Sequence, residues 1–272
     1  MAKRDIAAEN AKPIKSTKPP RAQQRALSEF MSFMIEQTAK RFRNQVFGEL
    51  NKSTINKFED AQIGNYAAVY LKLANRARRK LLKQFDDKRI EQMVRRILGQ
   101  VDDRSRQELY KKVEQRIGIS QTALAATEGL TPQINALILE TSEWVKKSLD
   151  ETLSAYTADS LHAMTTGASL TEILSKFDDL VAKRKNHAQF TARNQVANFH
   201  SITTKIRAQN LGIQKARWVT SHDERVRHCH AVRDGKEFDL DKGLYSSCDG
   251  KTLLPGVDYQ CRCTYELIIP EE

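Results

Sequence analysis

From Leu27 to Val46 the residues Leu27, Phe30, Met31, Met34, Ile35, Thr38, Phe42 and Val46, all but one apolar, recur at three- and four-residue spacing. That spacing puts them on one face of an α-helix, so the chain must bury helical stripes rather than pleated sheets. The helix is expected to stop near Gly48. A second stripe runs through Ile63, Tyr66, Ala67, Tyr70, Ala74, Ala77, Leu81 and Phe85. A third covers Ile90 to Leu98 and is expected to end at Gly99; a fourth covers Leu109, Val113 and Ile117, closed by Gly118. Thr131-Pro132 reads as a helix start, with a capping hydroxyl and then proline at the first helical position. Its face runs on to about Met164. Ser169 and Glu172 stand in capping-box register at the start of "SLTEILSKF". A further long helix is expected over 183–211, with Gly212 as its left-handed cap.

The texture changes at Trp218. Gly235, Gly243, Gly250 and Gly256 punctuate short segments, and "ARWVT" and "TYELII" read as strands because they are rich in β-branched and aromatic residues. The expected fold is therefore mainly α: an extended helical body with a small, loop-rich α+β module at the C-terminus. Residues 1–20, with Pro13, Pro19 and Pro20 among lysines, are expected to form a flexible basic arm. The start of the chain has no apolar core of the kind a secretory signal carries, and no apolar run approaches the ~20 residues of a membrane span. Synthesis and assembly in a cytoplasm follow as the expectation.

All four cysteines lie in the last 44 residues, beside three of the six histidines. Cys261 and Cys263 are two apart, so on a strand both sulfurs share one face; His228 and His230 have the same relation. A set of His230, Cys248, Cys261 and Cys263, with Cys229 as substitute, would give zinc its four nitrogen and sulfur ligands. About 55 residues bury little core alone, which is why small modules recruit metals. Buried free thiols with a hydrogen-bonded histidine, or a disulfide formed after release from the cell, satisfy the same residues. An enzyme would use Asp223, His228 or His230, and Cys229 as an acid/base and nucleophile set, yet no known nucleophile motif surrounds them. A purely structural arrangement would have Asp223, Arg225 and Arg227 build a buried charge network before His230. Arg262 would then point outward to an acid, and Gly235 would take a positive φ.

Charge is uneven. Of the net +11, the stretch from Trp218 onward holds 7 Lys/Arg against 11 Asp/Glu. The excess is sharpest from Lys72 to Arg116, where 15 basic residues meet 7 acidic ones. Arg76, Arg78, Arg79, Lys80, Lys83, Arg95 and Arg96 are thus candidates for contact with a polyanion or an acidic protein face. The competing reading is a solvated helical surface with intrahelical ion pairs.

The order Ala192-Arg193-Asn194, Gly212, Trp218, Asp223-x-Arg225-x-Arg227, His230, Asp234-Gly235 and Cys261-Arg262-Cys263 resembles the Mu F-like (SPP1-type) phage minor head protein family. The resemblance covers roughly 165–268. It implies a minor head module over 165–272, with helix 183–211 and a loop-strand part at 216–270; the basic arm and a variable helical region over 21–164, which carry no such resemblance, precede it. It further implies a non-enzymatic minor capsid or head-morphogenesis protein that binds the portal and the major capsid or scaffold protein. Such a protein is expected to sit inside the capsid near the portal and to leave with the DNA or aid its packaging or delivery. Some relatives carry cysteines in place of Arg227 and His230, a pattern suited to a metal pair. A zinc-dependent nuclease or effector delivered with phage DNA is the alternative. A nonspecific binder of packaged double-stranded DNA is another.

Overall fold

The structure, a computed structural model, describes residues 13–15, 17–54, 63–126 and 128–269. Residues 1–12 of the expected basic arm lie outside the described residues. Ile14–Lys15 instead forms strand β1, paired with a strand 250 residues away, because a buried Ile14 completes an apolar row there.

The helices are longer and fewer than the glycines suggest. Helix α1 (Arg21–Phe42) passes through a π-helical turn (Arg43–Phe47) directly into α2 (Gly48–Thr54). Gly48 keeps helical dihedrals (φ −67°) and does not end the run. Phe42, Val46, Phe47 and Leu50 all stay buried, so the stripe continues. Helix α3 spans Ile63–Gln84. Helix α4 is one element, Asp87–Ile117, with Gly99 in its interior. The buried positions Ile90, Val94, Leu98, Val101, Leu109 and Val113 carry across it. An internal glycine costs about 1 kcal/mol, which a continuous packed face outweighs. Gly118 does end the helix, at φ +75°. After the short α5 (Gln121–Ala126), helix α6 runs Thr131–Thr165.

Helix α7, Leu170–Asn210, merges the two helices expected on either side of residue 183. Neither glycine nor proline interrupts it. Its capping box forms as expected: the Ser169 N–H donates to Glu172 Oε2 (2.8 Å) and the Glu172 N–H to Ser169 Oγ (3.3 Å). At its end Gly212 takes φ +78°, and the Ile213 N–H reaches back to the Ala208 carbonyl (2.9 Å), closing a Schellman cap.

The chain forms two compact units, each built from separate stretches. One takes Arg25–Arg95 and Leu139–Ala192. Its core is aromatic, with Phe42, Phe47, Tyr70, Tyr156 and Phe177 in mutual contact; Tyr156 and Phe177 are 4.7 Å apart between centroids. The other takes the residues up to Gln24, Arg96–Ile138 and Arg193 onward. The division falls within helices α1, α4, α6 and α7.

The second unit holds a four-stranded antiparallel sheet in the order β1, β6 (Thr264–Ile268), β2 (Lys215–Val219), β3 (Glu237–Asp239). Strands β4 (Leu244–Ser246) and β5 (Lys251–Leu253) form a separate hairpin. Alternation sets the register: Ala216 faces Leu267 and Trp218 faces Tyr265, all four buried, while Arg217 and Glu266 turn the other way. The fold is therefore mainly α with a small α+β C-terminal module, as the sequence texture implies. Among the described residues, no helix is long and apolar enough to cross a membrane.

Candidate functional site

The site grows from one face of α7. Asn194 Oδ1 accepts the Gln260 N–H (3.1 Å), holding a residue whose φ is +57°. Ser201 donates to the Pro255 carbonyl (2.7 Å), and the Tyr265 hydroxyl donates to the Ser201 carbonyl (2.7 Å). Gly256 lets the loop lie close: a Cβ there would stand 3.5 Å from the Ser201 Cβ and 3.8 Å from the Ala197 carbonyl. The segment Leu254–Cys261 is thus pinned to the helix by small and polar side chains. On this stretch of α7, Phe199 is buried, but Ile202 and Ile206 are only half-buried. Short side chains allow the closer approach.

Pinning that loop brings Cys261 and Cys263 beside His230. The His230 Nδ1 atom lies 3.4 Å from Cys261 Sγ and 3.5 Å from Cys263 Sγ. The three ligand-type atoms fall within 4.8 Å of one another, and all three residues are buried. His230 comes from α8 (His228–Ala231), a single helical turn rather than a strand. Successive residues there do not alternate: His230 is buried and His228 exposed. Trp218 packs edge-on against the imidazole (5.7 Å between centroids).

Cys248 is not part of this cluster. It forms a disulfide with Cys229, Cα atoms 5.4 Å apart, within the ordinary range for such bonds. Neither Cys248 nor Cys229 therefore offers a thiolate to a metal, and Cys229 offers none as a nucleophile. Asp223 of the enzyme-type set is paired with Arg262.

Electrostatics favour one shared proton between the two free thiols. The Cys263 thiol donates toward Cys261 and holds the Cys261 pKa well below its usual range; His230 and the Gly256 N–H (3.3 Å from Sγ) act in the same direction. Cys263 is pushed up in turn by that same bond and by burial. The buried Trp218 indole N–H has no regular hydrogen-bond partner, yet lies near enough to Cys263 to favour its thiolate.

These residues fit zinc in ligand type and spacing. Bond lengths near 2.3 Å to sulfur and 2.0–2.1 Å to nitrogen place N and S roughly 3.6 Å apart across a tetrahedral ion, close to the observed 3.4 and 3.5 Å. The second ring nitrogen, Nε2, lies 3.2 Å from Asp258 Oδ2. A carboxylate in that position fixes the tautomer that leaves Nδ1 free to coordinate. Asp258 also pairs with Arg227 (2.7 Å), which donates to the Tyr259 carbonyl as well (3.0 Å).

The other motif residues hold the frame. Arg262 forms two 2.6 Å bonds to Asp223 on the surface, the outward pairing expected of it. The expected buried network of Asp223, Arg225 and Arg227 is not formed. Arg225 gives Asp223 only its backbone N–H (3.0 Å), and all three residues are exposed. Asp234 Oδ1 accepts the Thr220 N–H (2.7 Å), and Gly235 takes φ +71° while its N–H meets the Trp218 carbonyl (2.9 Å). Ala192 is buried in α7 and Arg193 is exposed.

Arg233, expected only in a turn, is fully buried, as is Arg207 on α7. Arg233 reaches both carboxylate oxygens of Asp249 (2.8 and 3.0 Å) and the carbonyls of Cys229, Leu244 and Lys251. Its bonds draw the Asp249 pKa down to about 2. The guanidinium also lies 5.5 Å from the Trp218 ring centroid. Asp258 was missed as well, although it stands three residues before Cys261 in the same loop.

The basic candidates divide between two helices. Arg76, Arg79, Lys80 and Lys83 are exposed on α3, and Arg78 on that helix pairs with Asp150 (2.6 Å). On α4, Arg95 pairs with Glu91 within the helix (2.8 Å), and Arg96 is exposed.

A stapled loop-and-strand module with a buried His/Cys/Cys cluster, carried at the end of a long helix, defines the class. Residues 157–266 match the family model described as Phage Mu protein F like protein, a span that contains every residue of the cluster. Those residues are thus similar to Mu F-like phage proteins, in line with the resemblance carried by the motif order. It is also similar to an uncharacterized protein of Haemophilus influenzae, at 26% identity over 230 residues, covering 84% of this chain and 50% of that protein. The chain therefore spans about half the length of the curated relative it matches. No solved structure matches the chain.

Proposed function

We propose that this protein is a phage minor head protein that acts by binding rather than by catalysis. In this reading it engages the portal and the major capsid or scaffold protein during procapsid assembly in the host cytoplasm. It then remains in the virion near the portal, where it assists DNA packaging or delivery. The observation that carries the reading is the family match over residues 157–266.

Zinc is the metal we propose for His230, Cys261 and Cys263. Its contribution is to tie α8 to the loop before β6. A nuclease or effector would need a metal position that substrate and water can reach. The three ligand-type residues are only 3–7% exposed, which supports a structural staple instead.

Co-expression with the portal protein of the same phage genome tests the assembly role. A saturable complex that survives gel filtration is expected, together with the protein in purified heads. Free portal and absence from heads would overturn it.

A further inference from the structure

Helix α3 contains six Lys/Arg in 22 residues and no Asp or Glu. Every acidic residue of the basic tract from Lys72 to Arg116 lies after α3, at Asp86 and beyond. The two halves of the tract therefore behave differently. On α4, Arg95–Glu91, Arg104–Glu108 and Arg106–Asp103 satisfy one another within the helix. On α3, Lys72, Arg76, Arg79, Lys80 and Lys83 are exposed, and none has a salt-bridge partner among the described residues. They recur at three- and four-residue steps over about 16 Å of helix.

Beside this stripe is an open groove of about 810 Å³ within the same compact unit. Lys72, Arg78 and Arg79 line it from α3, and Lys146 and Lys147 from α6. Its two acids are Asp150, occupied by Arg78, and Glu143. Lys146 pairs with Asp87 (2.7 Å), and Lys147 sits over the Trp144 ring and 4.0 Å from Glu151. Between the charges lie Leu82, Phe85 and Leu149. A cationic rim with an apolar floor suits a ligand that has both anionic groups and an apolar face.

We propose that this groove binds an acidic, amphipathic segment of a partner protein. Such a segment, helical on docking, sets apolar side chains at i, i+3 and i+4 on Leu82 and Phe85 and its carboxylates against Lys72 and Arg79. A nucleic-acid backbone presents charge but no apolar stripe, and leaves the floor unused. The site lies outside residues 157–266 and stands whether or not the head-assembly reading holds.

The test uses the full chain and two fluorescein-labelled probes: a synthetic Glu/Leu amphipathic peptide of about 20 residues, and a mixed-sequence DNA duplex of about 20 base pairs. Anisotropy should show peptide binding that Lys72→Glu with Arg79→Glu weakens by about tenfold or more. Leu82→Gln should weaken the peptide severalfold and leave any duplex binding unchanged. Circular dichroism checks that both variants fold: Lys72 and Arg79 are exposed with no salt-bridge partner among the described residues, and Leu82 is half-buried against the aromatic core. The proposal is overturned if the duplex is the tighter ligand and Leu82→Gln has no effect, which would make the stripe a phosphate-binding surface. It is equally overturned if the peptide fails to bind, or binds all variants alike.

Discussion

The aromatic helical unit and the C-terminal module solve the same problem with different chemistry. In the first, Phe42, Phe47, Tyr70, Tyr156 and Phe177 pack ring against ring, and the Tyr70 hydroxyl finds the Tyr156 carbonyl at 3.1 Å. Long helices satisfy their own backbones, so apolar area alone decides the packing. The module has strands of three to five residues and long loops whose backbone must find partners elsewhere. It uses a disulfide, a buried Arg233–Asp249 pair, a His/Cys/Cys cluster and side chains from α7. Where regular structure is short, cross-links and polar staples replace buried area.

The largest effect expected is in the helical unit. Phe177→Ala removes the ring that touches Phe42, Phe47 and Tyr156 and should cost about 3–5 kcal/mol. Urea unfolding followed by far-ultraviolet dichroism measures it. A loss below about 1 kcal/mol would mean that apolar packing does not dominate there.

Reducing Cys229–Cys248, which spans 19 residues, should destabilise the module by about 3 kcal/mol on the chain-entropy scale. Hydrogen exchange should show lost protection over β4 and β5, with the aromatic unit unaffected. Equal loss in both would erase the contrast between them.

A smaller, pH-dependent effect is expected from His200. It is buried, bonded through Nε2 to Thr17 Oγ (2.8 Å), and burial lowers its pKa to about 4, with Arg207 and Lys112 adding to the shift. The folded state thus resists a proton that the unfolded chain accepts from about pH 6.5 downward. Stability is full above that value and falls as pH drops toward 4, by on the order of 2 kcal/mol at about pH 4.5. His200→Gln should flatten that slope in urea midpoints taken across the range. A slope that persists unchanged points to other groups.

The smallest effect belongs to Asp223→Ala. The Asp223–Arg262 pair is well formed but exposed, and exposed pairs add little. No change in melting temperature beyond error is expected; a large drop would show the pair to be part of the staple.

The same contrast governs what was legible in the sequence. Helical stripes announce themselves within a few residues, so the faces around Met31, Tyr70 and Leu109 could be read directly. Gly48 and Gly99 misled because a glycine marks a weak point in a helix, while the decision rests on whether the stripe continues past it. Strands β2 and β6 were legible from composition, and Gly212 and Gly235 from the turns they allow.

In the site, His230, Cys261 and Cys263 were legible from the clustering of histidine and cysteine near the end of the chain, not from a shared strand face: both cysteines precede β6 and His230 lies on a helical turn. Cysteine pairing depends on where loops fold, and nothing local distinguished Cys248 as a disulfide partner from Cys248 as a ligand. Asp258 and Arg233 were missed for the same reason. Their partners, His230 and Asp249, lie 28 and 16 residues away, and such pairings leave no local pattern.

We propose that His230, Cys261 and Cys263 staple the module through one metal ion. Elemental analysis of protein purified without a metal-affinity tag, with thiol titration on the same sample, tests it most directly. One zinc per chain, with both free thiols unreactive until denaturation, is the predicted result. No bound metal, with Cys261 and Cys263 titrating in the native protein, would contradict it and leave a hydrogen-bonded His/Cys/Cys knot in its place.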